Sequence, residues 1–591
     1  MKKILVVTIA ALSLVSCNRT VRVKVDPAAP ARDSAKLTRL GVELWEETMR
    51  SSPLWATFLG DRRFDNRLGD IGPAERERHT AELARILADA RALDRAALTS
   101  DERTTADVLE HVIATGLESD SRCRSWSWSV DQMYGPQVWM AEIPNQHAIR
   151  TWAHAESLAE RYEQIPDWYA QHRKNLRDGV STGRTAAPGN IDRVVQQLDD
   201  QLAVAVEKSP YLDAMTELPA DFTEAQRAEL RSKLEELTRA GIYPAMKAYR
   251  DFLKAELRPA ARKQAGIGGF PDAAGCYAAR IREESGTDKT AEQIHAIGLT
   301  EVARIQNEIR TLAKLPAGAP VRPAFDALGQ KKEMFLPTRE AVLEHNRKLV
   351  ARAQAALPRA FNRLPKTPIE VKALEPFREK DAPAGYYQSA PKDRSKPAYY
   401  YSNTYEPQTR PLWNMAALAF HEGVPGHHLQ IALAEENTSI PEFQRRLGPT
   451  AFVEGWALYS ERLAFELGLY ESTEEKMGAL NYEAWRAVRL VVDTGLHTKG
   501  WSREEALAYF LANTGHTKIE AENEIDRYIM WPGQALAYKM GQLEILDMRE
   551  EAKRTMGAKF DDRAFHDRLL SHGAVPMPAA RRDLREWAAG R

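Results

Sequence analysis

The sequence predicts a mainly α-helical protein with one small β-hairpin, and three observations lead there. Ala, Leu, Glu and Arg, all strong helix formers, dominate from about residue 36 onward. Apolar residues recur at helical spacing; in LTRLGVELWEETMR they are Leu40, Val42, Leu44, Trp45 and Met49. Residues 385–403, GYYQSAPKDRSKPAYYYSN, break the pattern: two aromatic, β-favouring runs flank a polar turn, which reads as a hairpin.

In chain order, the first residues read MKKILVVTIAALSLVSC. Lys2 and Lys3 precede an apolar run from Ile4 to Val15, shorter than the roughly 20 residues that span a bilayer as a helix. Residues 1–17 are therefore expected to be an export signal rather than part of the fold. The ending Leu14-Val15-Ser16-Cys17 resembles a lipobox, which makes Cys17 the candidate lipidation site and mature N-terminus. Asn18 is not an aspartate retention signal, so the predicted location is the cell envelope, on the periplasmic face of the outer membrane. Residues 18–35, with VDPAAPARDSA, read as a flexible tether. Two helical regions follow, 36–265 and 266–591, divided where Pro and Gly cluster in 257–275. Thr223 is a plausible N-cap for the helix that follows it, and Thr290 begins another helical stretch. No later segment is apolar enough to cross a membrane.

Composition narrows the function. The chain has 591 residues, which alone would suggest about three or four domains. With 82 Lys+Arg against 83 Asp+Glu the formal charge is −1, which argues against a nucleic-acid partner. At 43% hydrophobic residues it can bury a core, so disorder is disfavoured. Three cysteines exclude a disulfide-dense scaffold. Beyond Cys17, Cys123 and Cys276 could pair in an oxidising periplasm or stay as two buried thiols.

The chemistry concentrates in a helix starting near Pro411, which contains His421-Glu422-Gly423-Val424-Pro425-Gly426-His427-His428. In an HExxH site the histidines at i and i+4 hold one zinc ion and the Glu acts on water. Here position i+4 is Pro425, which cannot ligate. His427, six residues on from His421, would lie about 240° around a regular helix. Pro425 interrupts the helix, however, and Gly423 and Gly426 permit unusual dihedrals. A short bulge would bring His427 to the second ligand position. The rival is His428, on the same face as His421 but about 10.5 Å along the axis. Glu454 is the candidate third ligand. It lies 27 residues after His427 in an apolar stretch, where a buried carboxylate needs a partner. Glu461, seven residues further, shares its face and is the backup ligand or an acceptor for a ligand histidine.

The strings HEGVPGHHLQ, VEGWALYSERL, TGLHTKGWSREEA and EIDRYIMWPGQALAYKMGQ resemble the bacterial family called domain of unknown function 885. The family looks like a distant relative of the helical gluzincin peptidases, such as angiotensin-converting enzyme, thimet oligopeptidase and the thermostable carboxypeptidases. That resemblance implies a two-lobed helical shell around a deep cleft, with 36–265 as the N-terminal lobe and 266–591 as the C-terminal lobe. It also implies one Zn2+ held by His, His and Glu, with Glu422 as general base. The departure is the GVP insertion between HE and GH. By comparison with angiotensin-converting enzyme, Tyr528 after Arg527 is the leading oxyanion donor, with His516 as companion and Tyr538 as competitor. An edge strand before the motif helix would pair with the substrate backbone, and 397–403, with Tyr399 and Tyr400, is the candidate.

The expected function is a zinc metallopeptidase acting on short or unfolded peptides, tied to the membrane by its lipid anchor only. Two other readings stay open: a non-catalytic peptide-binding lipoprotein on a peptidase scaffold, and a zinc amidase acting on a non-peptide amide. Oligomeric state is not legible.

Overall fold

The computed structural model describes residues 29–374, 379, 382–392, 394 and 396–590. The expected export signal 1–17, with Cys17, lies outside the described residues. The stretch read as a tether extends to residue 35, yet a helix, α1 (Ala29–Ser51), already begins inside it. Leu37, Leu40, Leu44 and Met49 of α1 are buried, whereas Val42 is 56% exposed, so the apolar stripe is narrower than its sequence suggests.

The fold is mainly α, with one three-stranded sheet. Helices that position the functional region are α2 (Pro73–Arg91), α3 (Ser100–Cys123), α4 (Ala273–Ser285), α5 (Ala291–Leu312) and α6 (Arg339–Ala356). They are followed by α7 (Leu412–Glu422), α8 (His427–Glu436), α9 (Thr450–Glu466), α10 (Thr473–Thr498), α11 (Lys518–Met530) and α12 (Ala537–Met556). Polar caps start several of them: Thr290 and Gln293 form a reciprocal capping box at α5, and Thr223 and Gln226 form one on the helix Glu224–Glu236. No helix among the described residues is long and apolar enough to cross a membrane.

The hairpin forms as expected from β2 (Gly385–Gln388) and β3 (Ala398–Ser402), paired antiparallel with Tyr387 opposite Tyr400. A third strand, β1 (Ile369–Ala373), adds parallel to β3, with Val371 opposite Tyr400. The order is β1-β3-β2. This corrects the edge-strand expectation: β3 is central, and its backbone pairs on both sides. The sheet packs on α6 and α7.

The core does not divide at residue 265. One hydrophobic cluster joins Leu37, Leu40, Ile86 and Leu109 of the N-terminal helices to Phe420, Phe452, Trp456 and Leu584. A second, from Leu68 to Leu257, is built wholly from residues before 265. The heaviest helix contacts are α5 with α10, α9 with α12, and α7 with α10. α7, which carries the HE motif, packs against α9 and α10 and is buried from Trp413 to Glu422, so the motif sits inside the core. Cys123 at the end of α3 and Cys276 in α4 are joined as a disulfide across 153 residues of chain. Cross-linking so long a loop constrains the unfolded chain, so the double variant Cys123→Ala/Cys276→Ala should lose about 2–5 kcal/mol of stability. Thermal unfolding without reductant should show a lower midpoint for the variant; an unchanged midpoint would contradict a stabilising cross-link.

Candidate metal centre

Every residue of α7 from Trp413 to Glu422 is buried. The helix ends where Gly423 donates to the Ala419 carbonyl at 2.9 Å, and α8 restarts at His427. Glycine is needed at 426, because a Cβ there would lie 1.9 Å from the His421 carbonyl oxygen. The intervening carbonyl of Pro425 accepts from Trp456 Nε1 at 2.9 Å and from Ser460 Oγ at 3.0 Å, both on α9. The break thus folds α8 back over the end of α7. Two histidines that a straight helix would keep apart meet with ring centres 4.8 Å apart and planes at 87°.

Glu454 of α9 completes the group. Its Oε2 lies 3.5 Å from His421 Nε2 and 3.4 Å from His427 Nε2. Ligand atoms from all three residues lie within 4.8 Å of one another. Tetrahedral ligands at zinc bond lengths of about 2.0–2.1 Å are about 3.3 Å apart, so these spacings fit one such ion. Glu454 Oε2 is buried and without a hydrogen-bond partner, as an atom reserved for a cation would be. Behind His421, Glu461 Oε1 lies 2.8 Å from Nδ1, which aims Nε2 at the group. His428 turns away: its Nε2 is 3.1 Å from the Thr367 carbonyl and its Nδ1 is 3.3 Å from the Tyr387 hydroxyl.

The tyrosines are not where the comparison with angiotensin-converting enzyme puts them. Tyr528 is buried, and its hydroxyl accepts from Trp485 Nε1 and Arg489 Nε, both at 2.9 Å. Tyr538 is the one beside the group, its ring stacked on His421 at 6.3 Å with planes at 18°. Arg527 Nη2 donates to the Tyr538 hydroxyl at 3.0 Å, leaving its proton free to be donated elsewhere. His516 is buried against Trp485 and Tyr482, at 4.7 and 5.6 Å between ring centres. Its Nδ1 is 3.5 Å from Glu520, and its Nε2 has no partner. Tyr482 and Glu520 line a small groove, with a cavity volume of about 30 Å³, together with Tyr400, Ser402, Asn414 and Arg410. Tyr400 therefore reaches the groove by its side chain, although β3 has no free edge. Its hydroxyl is buried there without a partner. Tyr399, on the other face of β3, is half-buried and lies near Lys372.

The sequence of residues 53–584 matches the bacterial family DUF885, described as bacterial protein of unknown function. The chain belongs to DUF885. A crystal structure from Colwellia psychrerythraea, provisionally described as a lipoprotein, superposes with a TM-score of 0.88 at 28% identity, covering 95% of this chain and 100% of that one. A second, from Shewanella oneidensis and provisionally described as a lipoprotein of unknown function, has a TM-score of 0.71 at 22% identity. It covers 94% of this chain and 99% of that one, and shares the fold. No match is found among curated proteins.

In this DUF885 chain the electrostatics of the group are those of buried, interacting charges. Burial lowers the proton affinity of His421, but Glu454 and Glu461 outweigh it and push the pKa up to about 9. Burial raises the Glu454 carboxyl, yet His427 and His421 hold it well below the ordinary range. The Glu422 carboxyl is raised, by burial first and by the charge of Glu454, against the pull of His427 and His421. It makes no hydrogen bond among the described residues. Burial pushes His428 down to about 4. His497 is structural: its Nε2 is 3.0 Å from the Tyr528 carbonyl, and its Nδ1 accepts from Ile267 N at 3.2 Å. A second trio, Asp101, His572 and Asp583, is less suited to a metal, because Arg568 already pairs with Asp583.

Sequence reasoning missed Tyr482, Trp485, Arg486 and Arg489, which crowd one face of α10 beside the group. The string YEAWRAVRL reads only as an amphipathic helix, and nothing local marks its arginines as buried.

Two outcomes follow from this geometry. Gly426→Ala should abolish metal binding and destabilise the protein by at least about 1–3 kcal/mol, since the added carbon meets backbone rather than a flexible side chain. Normal zinc affinity and stability in that variant would contradict the role given to the break. In the metal-free protein His421 carries a proton below about pH 9, and a metal requires the neutral ring. Zinc binding should therefore release a proton at pH 7, and its apparent affinity should rise up to about tenfold per pH unit and level off above His421's pKa. Calorimetry in buffers of different ionisation heat measures this; no proton release would contradict it.

Proposed function

We propose that this protein is a zinc-dependent metallopeptidase of the gluzincin type, hydrolysing short or unfolded peptides. The observation that carries the reading is the convergence of His421 Nε2, His427 Nε2 and Glu454 Oε2 at 3.4–3.5 Å, with a raised, unbonded Glu422 carboxyl beside them. His421, His427 and Glu454 would hold the ion. A zinc ion bound there supplies a Lewis acid that makes water a nucleophile at neutral pH.

The remaining steps belong to the chain's own side chains. Glu422 accepts the proton from the attacking water and returns it to the leaving nitrogen; its raised proton affinity suits both directions. Negative charge grows on the former carbonyl oxygen as water adds, and the Tyr538 hydroxyl donates toward it. Arg527 holds that hydroxyl by the phenolic oxygen and leaves the proton free. Tyr538 replaces Tyr528 in this role, because Tyr528 is enclosed by Trp485 and Arg489. Tyr400 and Tyr482, both near enough to Glu422 to feel its charge, are the side chains placed to meet the peptide. Attachment through Cys17 is supported by the lipobox and by the description of the Colwellia chain as a lipoprotein, and Asn18 in place of an aspartate favours the periplasmic face of the outer membrane.

Glu422→Gln should keep one zinc per chain and lose about 10²–10⁴-fold in kcat on peptides, the usual worth of a general base. Retained turnover in that variant would exclude the mechanism. His427→Ala should lose zinc, whereas His428→Ala should keep it; the reverse pattern in metal analysis would exclude the ligand set. Tyr538→Phe should lower kcat by about 10²–10³-fold, as removal of one oxyanion donor does elsewhere.

A further inference from the structure

Three arginines surround Tyr538, the tyrosine stacked on His421. Arg489 Cζ lies 4.2 Å from its ring centre, Arg486 Cζ lies 5.9 Å away, and Arg527 donates to its hydroxyl. Their side chains are only 3%, 1% and 12% exposed for Arg486, Arg489 and Arg527 in turn. A guanidinium has five N–H donors, and burial makes each unmatched one costly. Arg486 makes a single hydrogen bond, from Nη1 to the Tyr482 carbonyl at 3.3 Å. Its Nη2 is 3.6 Å from Glu461 Oε1, an atom already engaged by His421 Nδ1. The Nε of Arg486, the Nη1 of Arg489 and the Nε of Arg527 are buried with no partner at all.

Carboxylates lie nearby, and Glu422 is close enough to Arg486 to feel its charge. Two carboxylates contact the three guanidiniums: Glu461 beside Arg486, and Glu524 at 2.9 Å from Arg489 and 3.5 Å from Arg527. The donors these carboxylates leave open are costly while buried, and an arriving anion would meet them.

We propose that these arginines, Arg486 foremost, bind the free α-carboxylate of a short peptide, so that the protein is an exopeptidase acting at the C-terminus. The inference rests on the peptidase reading above and adds its substrate class. A planar carboxylate suits a guanidinium better than any other peptide group does, because two N–H donors meet its two oxygens. Arg486 is also well placed. It contacts Glu461, which contacts His421, and its Cζ is 4.7 Å from the ring of Tyr482, which lines the groove. In an extended peptide each residue between the scissile carbonyl and the terminal carboxylate adds about 3.5 Å. In the reaction the C–N bond breaks, water's oxygen joins the carbonyl carbon, and the leaving amine takes the proton carried by Glu422. A polypeptide running past the site would leave the arginine donors unmatched.

The test compares matched peptides of three to five residues, as free acids and as C-terminal amides, with the zinc-loaded protein. Amidation should lower kcat/KM about 100-fold, and Arg486→Gln should collapse the acid-to-amide ratio toward one, with Arg486→Lys restoring part of it. That ratio is internal to each variant, so partial loss of folded protein does not alter it. In the inactive Glu422→Gln protein, calorimetry should show the free acid binding at least tenfold tighter than the amide. Equal hydrolysis of acids and amides, or an unchanged ratio in Arg486→Gln, overturns the C-terminal assignment while leaving the peptidase reading standing. Failure to hydrolyse or bind any peptide overturns both.

Discussion

The break between α7 and α8 is the constraint on which the candidate site depends. A continuous helix through residues 421–428 would send His421 and His427 in different directions. The close approach of Gly426 to the His421 carbonyl, 1.9 Å from where a Cβ would be, lets the chain reverse without a gap. The Pro425 carbonyl, deprived of a helical partner by the reversal, is met by Trp456 and Ser460. Each such hydrogen bond is worth about 1 kcal/mol net, but leaving the buried carbonyl unmet would cost more. The donors sit on the same helix as Glu454 and Glu461. One helix therefore fixes the break, provides the third ligand candidate and orients His421.

The surrounding charges are tied to that helix. Lys539 of α12 is fully buried and reaches Glu301 of α5 and Glu483 of α10, each at 2.8 Å. Burial raises the Glu483 carboxyl, but Lys539, Arg462 and Arg304 hold it far below its ordinary range. Removing one member would strand the others in a medium that solvates charge poorly, so the network fixes how α5, α10 and α12 sit around the site. Tyr538 is next to Lys539 in sequence, and its ring position against His421 is set by the same packing. What sets the buried arginines beside it apart is their grouping: three of them gather unmatched N–H donors around one ring next to the candidate metal group.

Much of this was legible in the sequence, for local reasons. Helical spacing, the caps at Thr223 and Thr290 and the aromatic hairpin are short-range signals, and all three appear in the fold. The same-face spacing of Glu454 and Glu461 needed only helical geometry. The choice of His427 over His428 needed the assumption that glycine and proline would bend the chain. What sequence could not supply depends on long-range partners. β1 lies 25 residues before β3 and pairs parallel to it, so nothing in the hairpin reveals that β3 is central. Tyr528 follows Arg527 as the comparison with angiotensin-converting enzyme suggests, yet α10 brings Trp485 and Arg489 against it and α12 brings Tyr538 to His421 instead. Sequence could not show for a similar reason that one hydrophobic cluster crosses the boundary at 265, because α1, α2 and α3 bury their apolar faces against C-terminal helices.

The most direct measurement is anomalous diffraction at the zinc edge from crystals of the zinc-loaded protein. One peak should appear, bonded to His421 Nε2, His427 Nε2 and a Glu454 carboxylate oxygen at about 2.0–2.2 Å. His428 should remain on the Thr367 carbonyl. A peak bonded to His428, or no peak between α7 and α9, would contradict the metal centre and the mechanism built on it.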